Sequence, residues 1–211
     1  MTDKPKSAAP TSARGARAWQ RMLSGRRLDL LNPAADDIAI EDIAHGLARV
    51  ARWNGQTIGD HAFSVAQHAL LVEEITASMH VDTVPRWRLA ALLHDAPEYV
   101  IGDLISPFKA VIGIDYKAFE QKLLEAIHRR FGLPPTLPDR IAMAIKVADR
   151  VAAYFEATVL AGFTPEEGAR YFGDPRGLPP ALRQGLTELE PLPAAEAQSA
   201  FLARFHALAG Q

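Results

Sequence analysis

The sequence predicts a single all-α domain. Three observations lead there: apolar residues recur at helical spacing in stretch after stretch, nothing of useful length alternates with the period of a strand, and Gly-, Pro- and Asn-containing breaks punctuate the stretches. A chain of 211 residues is long enough to bury one sizeable core. Its 48% hydrophobic and 23% charged content is that of an ordinary soluble globular protein.

Taken in order, residues 1–20 are rich in Ala, Ser and Pro and carry basic side chains without the apolar centre of a signal peptide, so they are expected to be a disordered tail, with the domain spanning 21–211. Ile43, Leu47 and Val50 share a helical face within 41–53, and Asn54-Gly55 breaks the chain. Asp60 is placed to cap a helix over 61–79, with Phe63, Ala66, Leu70 and Ile75 inward. A third helix is expected over 84–99, then a loop from Gly102 to Pro107. Asp115 can open a helix over 115–131, which Gly132-Leu133-Pro134-Pro135 stops. Thr136 or Asp139 opens the next, which runs to about 160 and holds one acid, Asp149, in an Ala/Ile/Val-rich run. Thr164-Pro165-Glu166-Glu167 has the capping-box pattern with proline at the first helical position. A Gly/Pro-rich loop, 173–180, precedes a last helix over 194–209 built on Phe201, Leu202, Phe205 and Leu208.

Bulk properties narrow the chemistry. There is no cysteine, which excludes disulfides, thiolate zinc sites and cysteine nucleophiles and leaves His, Asp, Glu and water as metal ligands. No apolar run approaches the roughly 18 residues of a membrane span. The formal net charge is −2, with no sustained basic face, so neither a membrane nor a nucleic acid is an expected partner; a cytoplasmic location fits.

The polar residues on these apolar helices are the functional signal. His61 begins one helix, His94 and Asp95 end another, and Asp149 lies within a third. Each alone has a plain structural explanation, a satisfied core histidine or an aspartate paired with Arg150 or Lys146. Together, two imidazoles and two carboxylates from three helices form a good ligand set for one divalent transition metal (Mn, Co, Fe, Ni or Zn), and the carboxylates also admit Mg. Glu98 follows His94 by four residues and Asp95 by three, on their side of a helix. His68, seven residues after His61, would stand about 10 Å further along a straight helix and is left out of the ligand set, as are His45, His80, His128 and His206.

The order His61, His94-Asp95, Asp149 resembles the H…HD…D signature of HD-domain metal-dependent phosphohydrolases. The surrounding stretches DHAFSVAQHALLV, LLHDAPEYVIGDLISPFK and KVADRVAAYFEA, with Arg52-Trp53 upstream, resemble the bacterial 5′-deoxynucleotidase-like branch over about residues 26–160. The resemblance implies an HD-domain helical bundle with a metal site in its core, held by His61, His94, Asp95 and Asp149. It also implies a small phosphate ester, a nucleoside 5′-monophosphate and in particular a deoxynucleotide, as substrate. It makes Glu98 the general acid/base, where a solvated helix-end acid is the plain alternative. It gives Asp103 a part in catalysis and in holding the sugar end; capping the Ser106-Pro107 segment is compatible with that. Arg52 would clamp phosphate and Trp53 cover sugar or base, or else Arg52 caps a helix end and Trp53 packs in the core. Lys109 and Lys146 could add positive potential. Asn54-Gly55 stands where the better-known relatives are more apolar.

Other readings are an alarmone hydrolase, which would carry an aspartate where Tyr99 follows Glu98, and a cyclic-dinucleotide phosphodiesterase, which would carry a GYP element absent here. A non-catalytic nucleotide or metal sensor and a purely structural bundle complete the set. The apolar last helix could join two copies in a homodimer or complete the core of one.

Overall fold

The computed structural model describes residues 18–79, 84–103 and 114–210, and over these the chain is mostly helical, as expected. It opens with what the sequence did not show, a two-stranded antiparallel hairpin of β1 (Trp19–Arg21) and β2 (Arg27–Asp29), with Trp19 opposite Asp29. Strands of three residues are too short for an alternating pattern. The hairpin is held by contacts from elsewhere: Leu28 is fully buried, and Asp42 accepts from the Ser24 backbone N–H at 2.9 Å and from the Ser24 hydroxyl at 2.5 Å. Trp19 and Gln20, expected in the tail, therefore belong to the folded part; residues 1–17 lie outside the described chain.

Helix α1 (Ile40–Leu47) buries Ile40, Ile43, Ala44 and Leu47, one face at helical spacing. It stops well short of residue 53 because the following backbone bonds elsewhere: Arg52 N–H donates to Phe63 C=O at 2.8 Å, and Val65 N–H to Val50 C=O at 3.0 Å. This short ladder also holds residues 61–64 out of the next helix. Helix α2 (Val65–Ser78) is capped by Ser64, whose hydroxyl accepts from Gln67 N–H, and not by Asp60.

Helix α3 (Pro85–Leu92) and helix α4 (Glu98–Ile101) replace the single helix expected over 84–99. Pro97 has no N–H to continue the ladder and crowds the preceding turn, so residues 93–97 form tight turns with bonds such as Ala96 N–H to Leu93 C=O. Gly46 of α1 faces α4 so closely that a Cβ there would lie 2.7 Å from the Tyr99 Cβ.

Helix α5 (Ile114–Arg130) ends where Gly132 adopts φ 73° and Leu133 N–H returns to His128 C=O. Helix α6 (Asp139–Phe155) buries Ile141, Ala144, Ile145, Ala148 and Ala152, then widens into a π-helical turn over Glu156–Leu160. Helix α7 (Pro165–Phe172) begins with the expected Thr164–Glu167 capping box. Helix α8 (Pro180–Thr187), unforeseen, comes before α9 (Ala194–Ala209).

The central helix is α2, packed against α3, α6 and α9. The apolar face of α9, with Ala197, Phe201, Phe205 and Leu208 buried, is spent on α1, α2 and α3 within the same chain. Among the described residues no helix is long and apolar enough to cross a membrane.

Candidate active site

Three elements around α2 bring the chemistry together. His68 sits one turn into α2 with no exposed surface. The turns after α3 carry His94 and Asp95, and α6 carries Asp149. His68 Nε2 lies 3.2 Å from Asp149 Oδ1 and 3.5 Å from Asp95 Oδ2, and His94 Nε2 is 3.2 Å from Asp95 Oδ2. The two imidazole centroids are 5.2 Å apart. One ligand atom each from His68, His94 and Asp149 falls within 4.8 Å of the others, close enough to share a metal ion.

The hydrogen bonds explain which nitrogens face the centre. His68 Nδ1 is 2.5 Å from Glu156 Oε1, and His94 Nδ1 is 2.9 Å from the Ala91 carbonyl. An ionised carboxylate and a carbonyl only accept, so both Nδ1 atoms carry hydrogen and both rings turn Nε2 inward. Neither buried Nε2 has a hydrogen-bond partner in good geometry. Burial and the nearby Arg52 oppose a proton on His68, but Glu156, Asp149 and Asp95 outweigh them and hold its pKa well above the usual imidazole value. Burial would raise the Asp95 pKa, yet His94 and His68 bring it well below the carboxylate range; Asp149 is lowered against burial by His68 and then His94. The pocket is thus arranged to hold positive charge between Nε2 atoms and carboxylates. Two imidazoles and two carboxylates fit a divalent cation.

His61, expected in the ligand set, lies outside this cluster, and His68 takes its place beside Asp149 and Asp95. His61 lies exposed in the stretch before Ser64, beside a cavity of about 250 Å³ lined also by Arg49, Ser64 and Leu192. The helix starts at residue 65, which places His68, not His61, against α6.

Glu98, the first residue of α4, is 1% exposed and so is not a solvated helix-end acid. Asp103 accepts from Arg52 Nη1 at 3.3 Å. Ser106, Pro107 and Lys109 lie outside the described residues, and Lys146 is exposed on α6. Arg52 and Trp53 sit in a short 3₁₀ turn, Arg52–Gly55, in which Trp53 (φ 56°, ψ 28°) and Asn54 (φ 51°, ψ 30°) are both left-handed. A bulky residue there is a strained outlier of the kind found at functional sites. Neither residue caps a helix. The Trp53 ring centroid lies 5.7 Å from those of Phe163 and Phe172, and its indole N–H donates to Glu156 Oε2 at 2.9 Å.

Glu156 is the residue that sequence reasoning missed. It is fully buried and also accepts from Arg52 Nε at 3.2 Å. Burial would raise its pKa, but Arg52, His68 and Trp53 pull it down to about 2. The available signal was its place seven residues after Asp149, two turns along the same face.

The family model for 5′-deoxynucleotidase YfbR-like proteins matches residues 44–161, a span containing every polar residue of this cluster. The chain is 59% identical over 193 residues to an uncharacterized protein of Rhodobacter capsulatus, covering 91% of this chain and 96% of that one. It is 36% identical over 117 residues to the uncharacterized protein YfdR of Escherichia coli, covering 55% and 57% of the two chains.

Proposed function

The chain belongs to the YfbR-like 5′-deoxynucleotidase family, a family of phosphohydrolases, and from that premise we propose that it releases phosphate from a deoxynucleoside 5′-monophosphate in a metal-dependent reaction. The observation that carries this reading is the close cluster of His68, His94 and Asp149, joined by Asp95, with both imidazole Nδ1 atoms already committed to acceptors. These four residues would hold one divalent transition metal, which when bound supplies a Lewis acid for the phosphoryl group and lowers the pKa of a coordinated water.

The chain's own groups do the rest. Arg52 has five N–H donors and spends one on Glu156 and one on Asp103, which leaves the remainder of its planar fork for phosphate oxygens. Asp103 thereby aims Arg52, beside its own part at the sugar end. Trp53, with its indole N–H already used, offers only ring surface and walls the sugar or base. Glu98 serves as the acid/base: it takes the proton of the attacking water as the water oxygen bonds to phosphorus, and passes it to the departing 5′ oxygen as the P–O5′ bond breaks. The clean division between a charged phosphate end and an aromatic wall fits a nucleotide.

The test is phosphate release from a panel of deoxy- and ribonucleoside 5′-monophosphates by metal-stripped protein. Mn²⁺, Co²⁺, Ni²⁺, Zn²⁺ or Mg²⁺ is added back, with Asp149→Ala alongside. Metal-dependent release that is lost in the variant is expected, with deoxynucleotides preferred. Binding of metal and nucleotide without release, under every metal, would turn the assignment to a sensing module.

A further inference from the structure

Glu156 makes three contacts that divide between its two oxygens. Oε1 is given to His68 Nδ1, on the side of the metal cluster. Oε2 is given to Arg52 Nε and Trp53 Nε1, on the side of the phosphate and ring-binding turn. Its neighbours divide differently: Asp95 and Asp149 lie against histidine nitrogens, and Asp103 accepts from Arg52. The helix explains how one ring is gripped from two places. Asp149 and Glu156 are seven residues apart, nearly two full turns, so both acids lie on one face of α6 about 10 Å apart in rise. The His68 imidazole lies between them, with Nε2 toward Asp149 and Nδ1 toward Glu156. Glu156 also stands where α6 widens into its π-helical turn, a local change common where a side chain must be placed for function.

We propose that Glu156 is a positioning residue that locks the metal-facing ring of His68 and the phosphate-facing Arg52–Trp53 turn into one register. The proposal rests on the reading of this cluster as a metal and phosphate site. Its physical content is twofold. A carboxylate on Nδ1–H fixes the tautomer that presents a lone pair at Nε2 and raises the ring's basicity as a ligand. The other oxygen supplies the contact that holds Trp53 in a left-handed conformation an isolated chain would leave. A role limited to balancing the charge of Arg52 would not need Oε1 on His68.

The experiment compares wild type, Glu156→Gln and Glu156→Asp, all metal-stripped, by calorimetric titration with Co²⁺. It continues with titration by inorganic phosphate at saturating Co²⁺; neither readout depends on turnover. Glutamine presents an N–H₂ group to one of its donor partners, and aspartate keeps the charge but is one methylene too short to span all three. Both variants are expected to bind Co²⁺ about 10–100-fold more weakly and to bind phosphate more weakly even when metal is saturating. Full recovery of both affinities in Glu156→Asp would reduce Glu156 to charge balance and overturn the proposal. Loss of Co²⁺ affinity with phosphate affinity unchanged, or the reverse, would also overturn it. Should the variants fail to fold, nitrogen chemical shifts of His68 in the wild-type Zn²⁺ form decide: an Nδ1–H tautomer is expected, and an Nε2–H tautomer refutes. Wild-type protein that releases no phosphate from any nucleotide would sink the phosphohydrolase reading and leave this comparison standing.

Discussion

Replacing His68 by glutamine, with His61→Gln as the matched control, separates the two candidate ligands. Metal that binds the folded chain alone stabilises it by mass action, by about 2.7 kcal/mol at 100 times its Kd. For a chain of 211 residues each kcal/mol moves Tm by about 2–4 °C, so Mn²⁺ at that excess should raise the wild-type Tm by about 5–11 °C. His68 supplies an Nε2 that no hydrogen bond uses, beside Asp149 and Asp95, so His68→Gln should lose nearly all of that rise. His61 is exposed outside the cluster, and His61→Gln should keep it within about 1 °C, a small part of the shift above. Differential scanning fluorimetry of stripped protein, with and without Mn²⁺, reads both. A shift that survives in His68→Gln and vanishes in His61→Gln would refute the assignment, because it would mean the ion sits where the structure shows solvent-facing side chains.

Two further outcomes follow from features away from the ligands. Gly46→Ala places a Cβ 2.7 Å from the Tyr99 Cβ and 2.9 Å from its carbonyl oxygen. The overpacking should cost about 1–3 kcal/mol, read by urea denaturation, and lower kcat because α4 carries Glu98; unchanged stability would show that α1 and α4 can separate freely. Burial pushes the pKa of His128 below 6.5, against hydrogen bonds to the Pro135 and Pro134 carbonyls. Above about pH 6.5 both folded and unfolded chains hold it neutral; below, the unfolded chain takes the proton first, so stability is lost as pH falls toward the folded pKa. Metal-stripped wild type should therefore lose more stability than His128→Gln between pH 7 and 5, and equal losses would contradict the depressed pKa.

The helices whose apolar faces repeat without competition, α6 and α9, were legible in the sequence, and so was the Thr164–Glu167 box, where one side chain and one backbone group decide the start. What could not be read depended on distant partners. The hairpin is held by Leu28 in the core and by Ser24 on Asp42, contacts that no local pattern records. Residues 50–52 and 61–64 leave the helical path because they bond to each other. That pairing is why His61 was mistaken for a helix residue. A local clue was present: Ser64 and Gln67 match the S-x-x-Q signature of a helix start, and would have placed His68 one turn inside α2. Pro97, in the middle of the HD stretch, likewise signalled that His94 and Asp95 sit in turns. Glu156 was the hardest, since a glutamate near a helix end is ordinary until the arginine, tryptophan and histidine around it are known.

The buried Glu73 of α2 receives Arg88 from α3 at 2.5 Å and Arg204 from α9. Arg204, with Phe201, Phe205 and Leu208, lies beyond residue 161, where the family match ends. The segment that carries the candidate site is therefore not a unit that can be cut free. Trimmed to 44–161 it would keep every candidate ligand, yet leave an anionic side chain and the apolar floor beneath α2 and α3 facing water. For anyone designing a minimal fragment or grafting this centre onto another scaffold, the boundary to respect is set by Arg204 rather than by the extent of the shared motif. In this protein the candidate metal cluster and its foundation are written in different stretches of the chain.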